Sequence, residues 1–95
     1  MPKGYIIAHI DVTDPEGYAR YAAAAIKAIA DHGGKVLVRG GRSEALEGKA
    51  RGRNVILEFE NYDAARRHFY SEQYQAARAL REGAAEIEMV LVEGA

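Results

Sequence analysis

No cysteine occurs among the 95 residues. Disulfides, thiolate metal sites and cysteine nucleophiles are therefore excluded. Neither sign of charge dominates: 13 Lys and Arg stand against 14 Asp and Glu. That balance gives no electrostatic footprint for nucleic acid or for an acidic membrane surface. The longest apolar run falls far short of a membrane span. The opening segment MPKGYIIAHIDV has one lysine and a short apolar run that meets Asp11, which is not a signal-peptide pattern. A cytoplasmic protein is the expectation. The nucleotide fingerprints GxGxxG and GxxxxGK[ST] are absent. His9, His32 and His68 lack the spacings H-x₃-H and H-E-x-x-H, so neither a metal nor another cofactor is expected. There is no repeat, low-complexity tract or linker. The length fits one domain, 1–95, with a single core.

What is present is organised around His32–Gly41, HGGKVLVRGG. Gly33 and Gly34 follow seventeen residues that read as helix. Glycine just past a helix end supplies the left-handed conformation that releases the chain. Lys35–Arg39 reads as a short strand, with Val36 and Val38 on one face and Leu37 on the other. Gly40 and Gly41 end it. The plain reading is a helix cap followed by a bulged hairpin. The sharper one is an anion held by the glycine-rich loop with Arg39 and Arg42.

Upstream, Gly4–Val12 alternates as a strand, with Ile6, Ala8, Ile10 and Val12 on an apolar face. Asp14 and Pro15 suit a helix start, and Tyr18, Tyr21, Ala22, Ala25, Ile26 and Ile29 form its apolar stripe. Downstream, Ser43–Glu47 could resume the strand, with Gly48–Gly52 as a hairpin tip. Asn54–Phe59 is a third strand. Asn61 can cap a second helix carrying Tyr62, Ala65 and Phe69 inward and Arg66, Arg67 and His68 outward. Ser71 marks a break and a new cap, and a second helical segment runs on to Gly83. Glu86–Val92 is the last strand.

The order β-α-β-β-α-β with right-handed crossovers gives an α+β, ferredoxin-like fold: a four-stranded antiparallel sheet with both helices on one face. The other face would carry Tyr5, Ile7, His9, Leu37, Arg39, Ile56, Glu58 and Val90. It is too apolar for water and too polar for a simple core. A second copy packed on it, as a homodimer, resolves this and leaves polar groups inside apolar walls.

The runs YIIAHIDVTDPEGYARY, HGGKVLVRGG, LEGKARGRNVILEFENYDAA, YSEQYQAARALREGAA and MVLVEG resemble the domain-of-unknown-function 1330 family from Tyr5 to Gly94. Asn61 stands where proline is expected. The resemblance implies a dimeric α/β barrel of ferredoxin-like protomers. Its wider superfamily includes cofactor-free monooxygenases, an isomerase, haem-degrading enzymes and ligand-sensing domains. The family's own activity is not established, so the resemblance supplies no catalytic set.

Several residues have a chemical reading beside a plainer one. His9 could be a general base or only an interface histidine. Glu58 could be an acid or base; pairing with Arg39, Arg42 or Arg81 is the cheaper use of a buried carboxylate. Arg39 could clamp a carboxylate. His32 suits a helix C-terminus and could also sit at a pocket mouth. Tyr70, Ser71 and Tyr74 lie at the helix break, with Ser71 better read as a cap than as a nucleophile. Arg81 is either a ligand contact or part of a solvated face. Three functions stay open: small-molecule binding under the Arg39–Gly41 loop (Arg39, Gly40, Gly41), a cofactor-independent enzyme with His9 or Glu58 as base and Arg39 as clamp, and a purely structural module.

Overall fold

The computed structural model describes residues 2–95. Seven elements follow in order: β1 Gly4–Val12, α1 Pro15–Asp31, β2 Lys35–Arg39, β3 Arg53–Phe59, α2 Tyr62–Tyr70, α3 Glu72–Ala79 and β4 Ala85–Glu93. The strands form one antiparallel sheet in the order β2-β3-β1-β4. This is the ferredoxin-like plan, with the second helix broken in two. Among the described residues, no helix is long and apolar enough to cross a membrane.

Alternation in β1 does what it predicts: Ile6, Ala8 and Ile10 are each 3% exposed and face the helices. Leu57 and Phe59 of β3 join them, with Ile29 and Ala65 above. Burying such side chains contributes about 1.5–3 kcal/mol each, which holds the helices on this face. Asp14 is the N-cap of α1 but makes no side-chain cap bond, so Pro15 and the first-turn Glu16 mark that start chemically. Gly33, at φ +74°, releases the chain after α1. Asn61 and Ser71 are working caps, accepting from the backbone N–H of Ala64 and Tyr74.

Two expectations about the central hairpin are corrected. Ser43–Glu47 forms no strand; residues 41–50 are all exposed. The bulge lies earlier, between Val36 and Val38. One extra residue there reverses the side-chain alternation. Val36 still pairs with Leu57 on the helix side, but Val38 pairs with Ile56 on the open face and Arg39 pairs with Val55 on the helix side. Arg39 is therefore not on the face that carries His9 and Glu58.

The open face is built in rows across the strands. Val38, Ile56, Ile7 and Val90 form one apolar row over all four strands. Lys35, Glu58, Tyr5 and Val92 form the row on one side of it; Asn54, His9 and Glu88 lie on the other.

Candidate functional site

A cleft of ≈ 60 Å³ lies between α1 and the helix side of the sheet. It exists because α1 runs beside α3, while α2 is the helix that packs onto β1, β3 and β4. The edge strand β2 is left half uncovered. Ile26 of α1 and Arg39 of β2 are both exposed and mark the mouth. Ile6, Ala8, Val55 and Leu57 supply an apolar floor.

One wall is a chain of rings. The Arg53 guanidinium lies 5.5 Å from the Tyr18 ring centre. Tyr18 is 5.5 Å from Tyr21, Tyr21 is 6.3 Å from Tyr74, and Tyr74 is 5.0 Å from His68. The Tyr21 and Tyr74 hydroxyls share one hydrogen bond of 2.8 Å. One of the two therefore keeps a free O–H. Burial, then the neighbouring Tyr74, pushes the Tyr21 hydroxyl far above its ordinary pKa, so it stays a donor.

Ser71 brings Tyr74 and His68 together. Its Oγ accepts from the Tyr74 N–H at 3.1 Å and donates to the His68 carbonyl at 2.7 Å. The break that it caps turns the last turn of α2 toward the first turn of α3. With both lone-pair and proton engaged locally, Ser71 is a hinge pin rather than a nucleophile.

His68 is fully buried, at 0% exposure, although the sequence reads it as outward with Arg66 and Arg67. It packs on Phe59 with ring centres 4.8 Å apart. Burial, then the nearby His32, pushes its pKa down to about 4, so the imidazole is neutral at pH 7. Its tautomer follows from its neighbour. His32 Nδ1 lies 2.7 Å from the Ala28 carbonyl, which only accepts, so that nitrogen carries the proton. His68 Nδ1 faces the same nitrogen at 3.4 Å and must be the acceptor. The proton of His68 is then on Nε2, which is buried and has no partner.

Arg53 is held by shape. Gly40, at φ +61°, leaves the space its guanidinium occupies; a Cβ there would lie 2.8 Å from Arg53 Cζ. Arg53 Nε is also buried without a partner. Among the described residues, neither Arg39 nor Arg53 forms an ion pair. No carboxylate lines the cleft among those residues. Every polar side chain there is a cation, a hydroxyl or an N–H donor.

The other residues singled out in the sequence fall elsewhere. On the open face, His9 Nδ1 bonds Asn54 Oδ1 at 2.7 Å, and Glu58 accepts from the Tyr5 hydroxyl at 3.2 Å. Glu58 thus has a phenol as partner and not the arginine expected for it. Burial, and then Glu58, raises the pKa of Tyr5. A broader depression of ≈ 450 Å³ beside His9 is lined by Asp11, Arg51 and Glu88, but Arg51 is already bonded to Asp11, Glu86 and Glu88 at 2.7, 3.0 and 3.2 Å. The sheet itself separates His9 and Glu58 from Arg39, so the proposed base-and-clamp trio is not assembled. Tyr70 is 64% exposed. Gly41 has no neighbour within reach of a Cβ. Arg81 stacks on Tyr21 at 5.1 Å from outside the cleft. Of the expected contacts, Arg39, Gly40, His32 and Tyr74 sit in or against the cleft. Tyr18, Tyr21, Arg53 and His68 were not anticipated there. Tyr18 and Tyr21 left a trace as members of the apolar stripe of the first helix, and His68 a weaker one, lying three residues after Ala65 on the same helical stripe; Arg53 left none.

A family model described as Domain of unknown function (DUF1330) matches residues 3–95. The chain belongs to this family. Among curated proteins, none matches it. Solved structures do. A protein of unknown function from Rhodopseudomonas palustris is 17% identical, with a TM-score of 0.78 over 99% of this chain and 83% of that one. A dimeric ferredoxin-like protein of unknown function from Thermobifida fusca is 16% identical, with a TM-score of 0.63 over 97% and 91%. SnoaB, a cofactor-independent oxygenase from Streptomyces nogalater, is 14% identical, with a TM-score of 0.64 over 97% and 92%. At such identities the likeness is one of fold. For this member of the DUF1330 family, function has to be argued from the cleft and the open face.

Proposed function

We propose that this DUF1330 protein is a homodimer, joined through the open sheet face, in which each protomer binds a small anionic or carbonyl-bearing molecule in its cleft. The observation that carries the binding reading is the one-sided lining of the cleft. Donors converge on an apolar cavity, two of their buried nitrogens are unpartnered, and no carboxylate competes for them. A buried donor left unbonded costs about 1–3 kcal/mol, which an acceptor on a ligand would recover.

The dimer reading rests on the apolar row of Val38, Ile56, Ile7 and Val90, where Val90 is 53% and Val38 38% exposed. The dimeric description of the Thermobifida fusca neighbour fits it. Sedimentation of the protein is expected to give twice the chain mass. Ile7→Asp, at the centre of the row, is expected to give a folded monomer. A monomeric parent overturns this half of the reading.

The cleft has a convenient reporter. Met89 lines it and is one of only two methionines. Its methyl resonance is expected to shift on addition of pentanoate or 2-pentanone, and less so in Arg53→Gln. No shift with any small carboxylate or ketone would overturn the binding reading. A second reading, cofactor-independent catalysis, is favoured by the same neutral donors, since an O–H and an N–H beside a carbonyl oxygen stabilise developing negative charge. Recovery of the bound molecule unchanged supports binding alone; its consumption supports catalysis.

A further inference from the structure

Resting on the cleft reading above, we propose that the molecule bound there is a short oxo acid, its carboxylate at Arg39 and Arg53 and its carbonyl oxygen at Tyr21, Tyr74 and His68.

The ring wall has a direction. It begins at a guanidinium, passes the Tyr18 ring, reaches the paired hydroxyls and ends at an imidazole N–H. The charged end is the mouth, where Arg39 is exposed and Arg53 is fixed by Gly40 and Tyr18. A planar fork held in place and lacking an acidic partner suits a carboxylate. The inner end is neutral. It offers the free O–H of the tyrosine pair and His68 Nε2–H, both donors and both buried. Groups of that kind take an uncharged acceptor oxygen.

The chemistry of the inner end discriminates among acids of equal length. A carbonyl accepts from both donors. A methylene leaves them unbonded. An ammonium brings more donors to a place that holds no acceptor-only group, so an amino acid is rejected rather than merely ignored. Size narrows the class further. A cavity of ≈ 60 Å³ holds only a few waters, since one water alone needs roughly 10–15 Å³. That admits a short chain, not a fused ring system.

Four probes of five carbons test this: 2-oxopentanoate, 4-oxopentanoate, pentanoate and 2-aminopentanoate, each titrated against the full chain with the Met89 methyl as reporter. At least one oxo acid is expected to bind tenfold or more tightly than pentanoate, and 2-aminopentanoate more weakly than pentanoate. In the double variant Tyr21→Phe with Tyr74→Phe, which removes the free O–H that either single replacement would leave on the remaining tyrosine, the ratio of oxo acid to pentanoate affinity is expected to fall toward one. Arg53→Gln is expected to weaken both acids together. His68→Asn serves as the variant for the inner end should the tyrosine replacements fail to fold. Oxo acids no better than pentanoate, or a ratio unchanged in the variants, overturn the oxo-acid proposal while leaving the cleft a binding site. No response to any acid or ketone overturns both.

Discussion

Lowering the pH from 7 to 5 is expected to cost this protein about 2 kcal/mol of folding stability through His68 alone. The folded pKa of about 4 lies below the ordinary imidazole value of about 6.5. The unfolded chain therefore binds a proton before the folded one does. The stability present above pH 6.5 is lost as the pH falls toward 4, up to about 3 kcal/mol. Typical domains have ~5–15 kcal/mol in total, so the loss is a visible fraction. The groups against His68 are Phe59, Tyr74 and His32, and no carboxylate is among them to accept the new charge. Asp11 and Asp31 act in a lower window. The Gly52 N–H and then Arg51 hold Asp11 below its usual pKa; Gln73 and then Lys27 do so for Asp31. Their contributions are present above about pH 4 and are lost below it. Urea unfolding at pH 7 and pH 5 isolates the histidine. His68→Phe, apolar among apolar rings, is expected to remove most of the difference between the two. Equal stability of the parent at both pH values would contradict the burial argument.

Gly4→Ala should destabilise the fold by about 3 kcal/mol or more. Gly4 lies on β1, between β3 and β4, and is buried. A Cβ there would meet the Asn61 carbonyl and lie 2.7 Å from Tyr62 Cα. Those are backbone atoms of the α2 cap, where Asn61 Oδ1 accepts from Ala64 N–H at 2.8 Å. They cannot swing aside as a side chain would. Either the cap opens or α2 lifts from the sheet, and strain of this kind in a packed core costs about 1–3 kcal/mol before the cap itself is counted. Lifting α2 would also draw His68 away from the ring wall, so ligand binding should weaken together with stability. Gly41→Ala is the matched control. Nothing lies within reach of its Cβ and its φ is not positive, so a change within about 0.5 kcal/mol is expected. Similar unfolding midpoints for the two variants would refute the close-approach explanation.

Local chemistry made much of this fold legible. The alternation of Ile6, Ala8 and Ile10 fixes which side of β1 is buried, because a strand's side chains point alternately to opposite faces. Asn61 and Ser71 announce helix starts because their side chains replace missing backbone partners. The order of elements and the preference for right-handed crossovers then leave few topologies besides the ferredoxin-like one. The YIIAHIDVTDPEGYARY and HGGKVLVRGG runs carried the family.

The cleft is different in kind. The bulge after Val36 depends on how β2 pairs with β3, and it decides which face receives Arg39. The Tyr21 and Tyr74 hydroxyls come from positions 53 residues apart. His68 shares a stripe with Ala65, yet its polarity argues for solvent unless the rings and the His32 side chain that enclose it are known. What the sequence by itself determined is what each segment needs locally: an alternating strand, a capped helix, a glycine after a helix end. Only the tertiary structure decided which donors from distant segments share one acid-free cavity, because hydrogen-bond partners and burial belong to positions in space, not to neighbours along the chain.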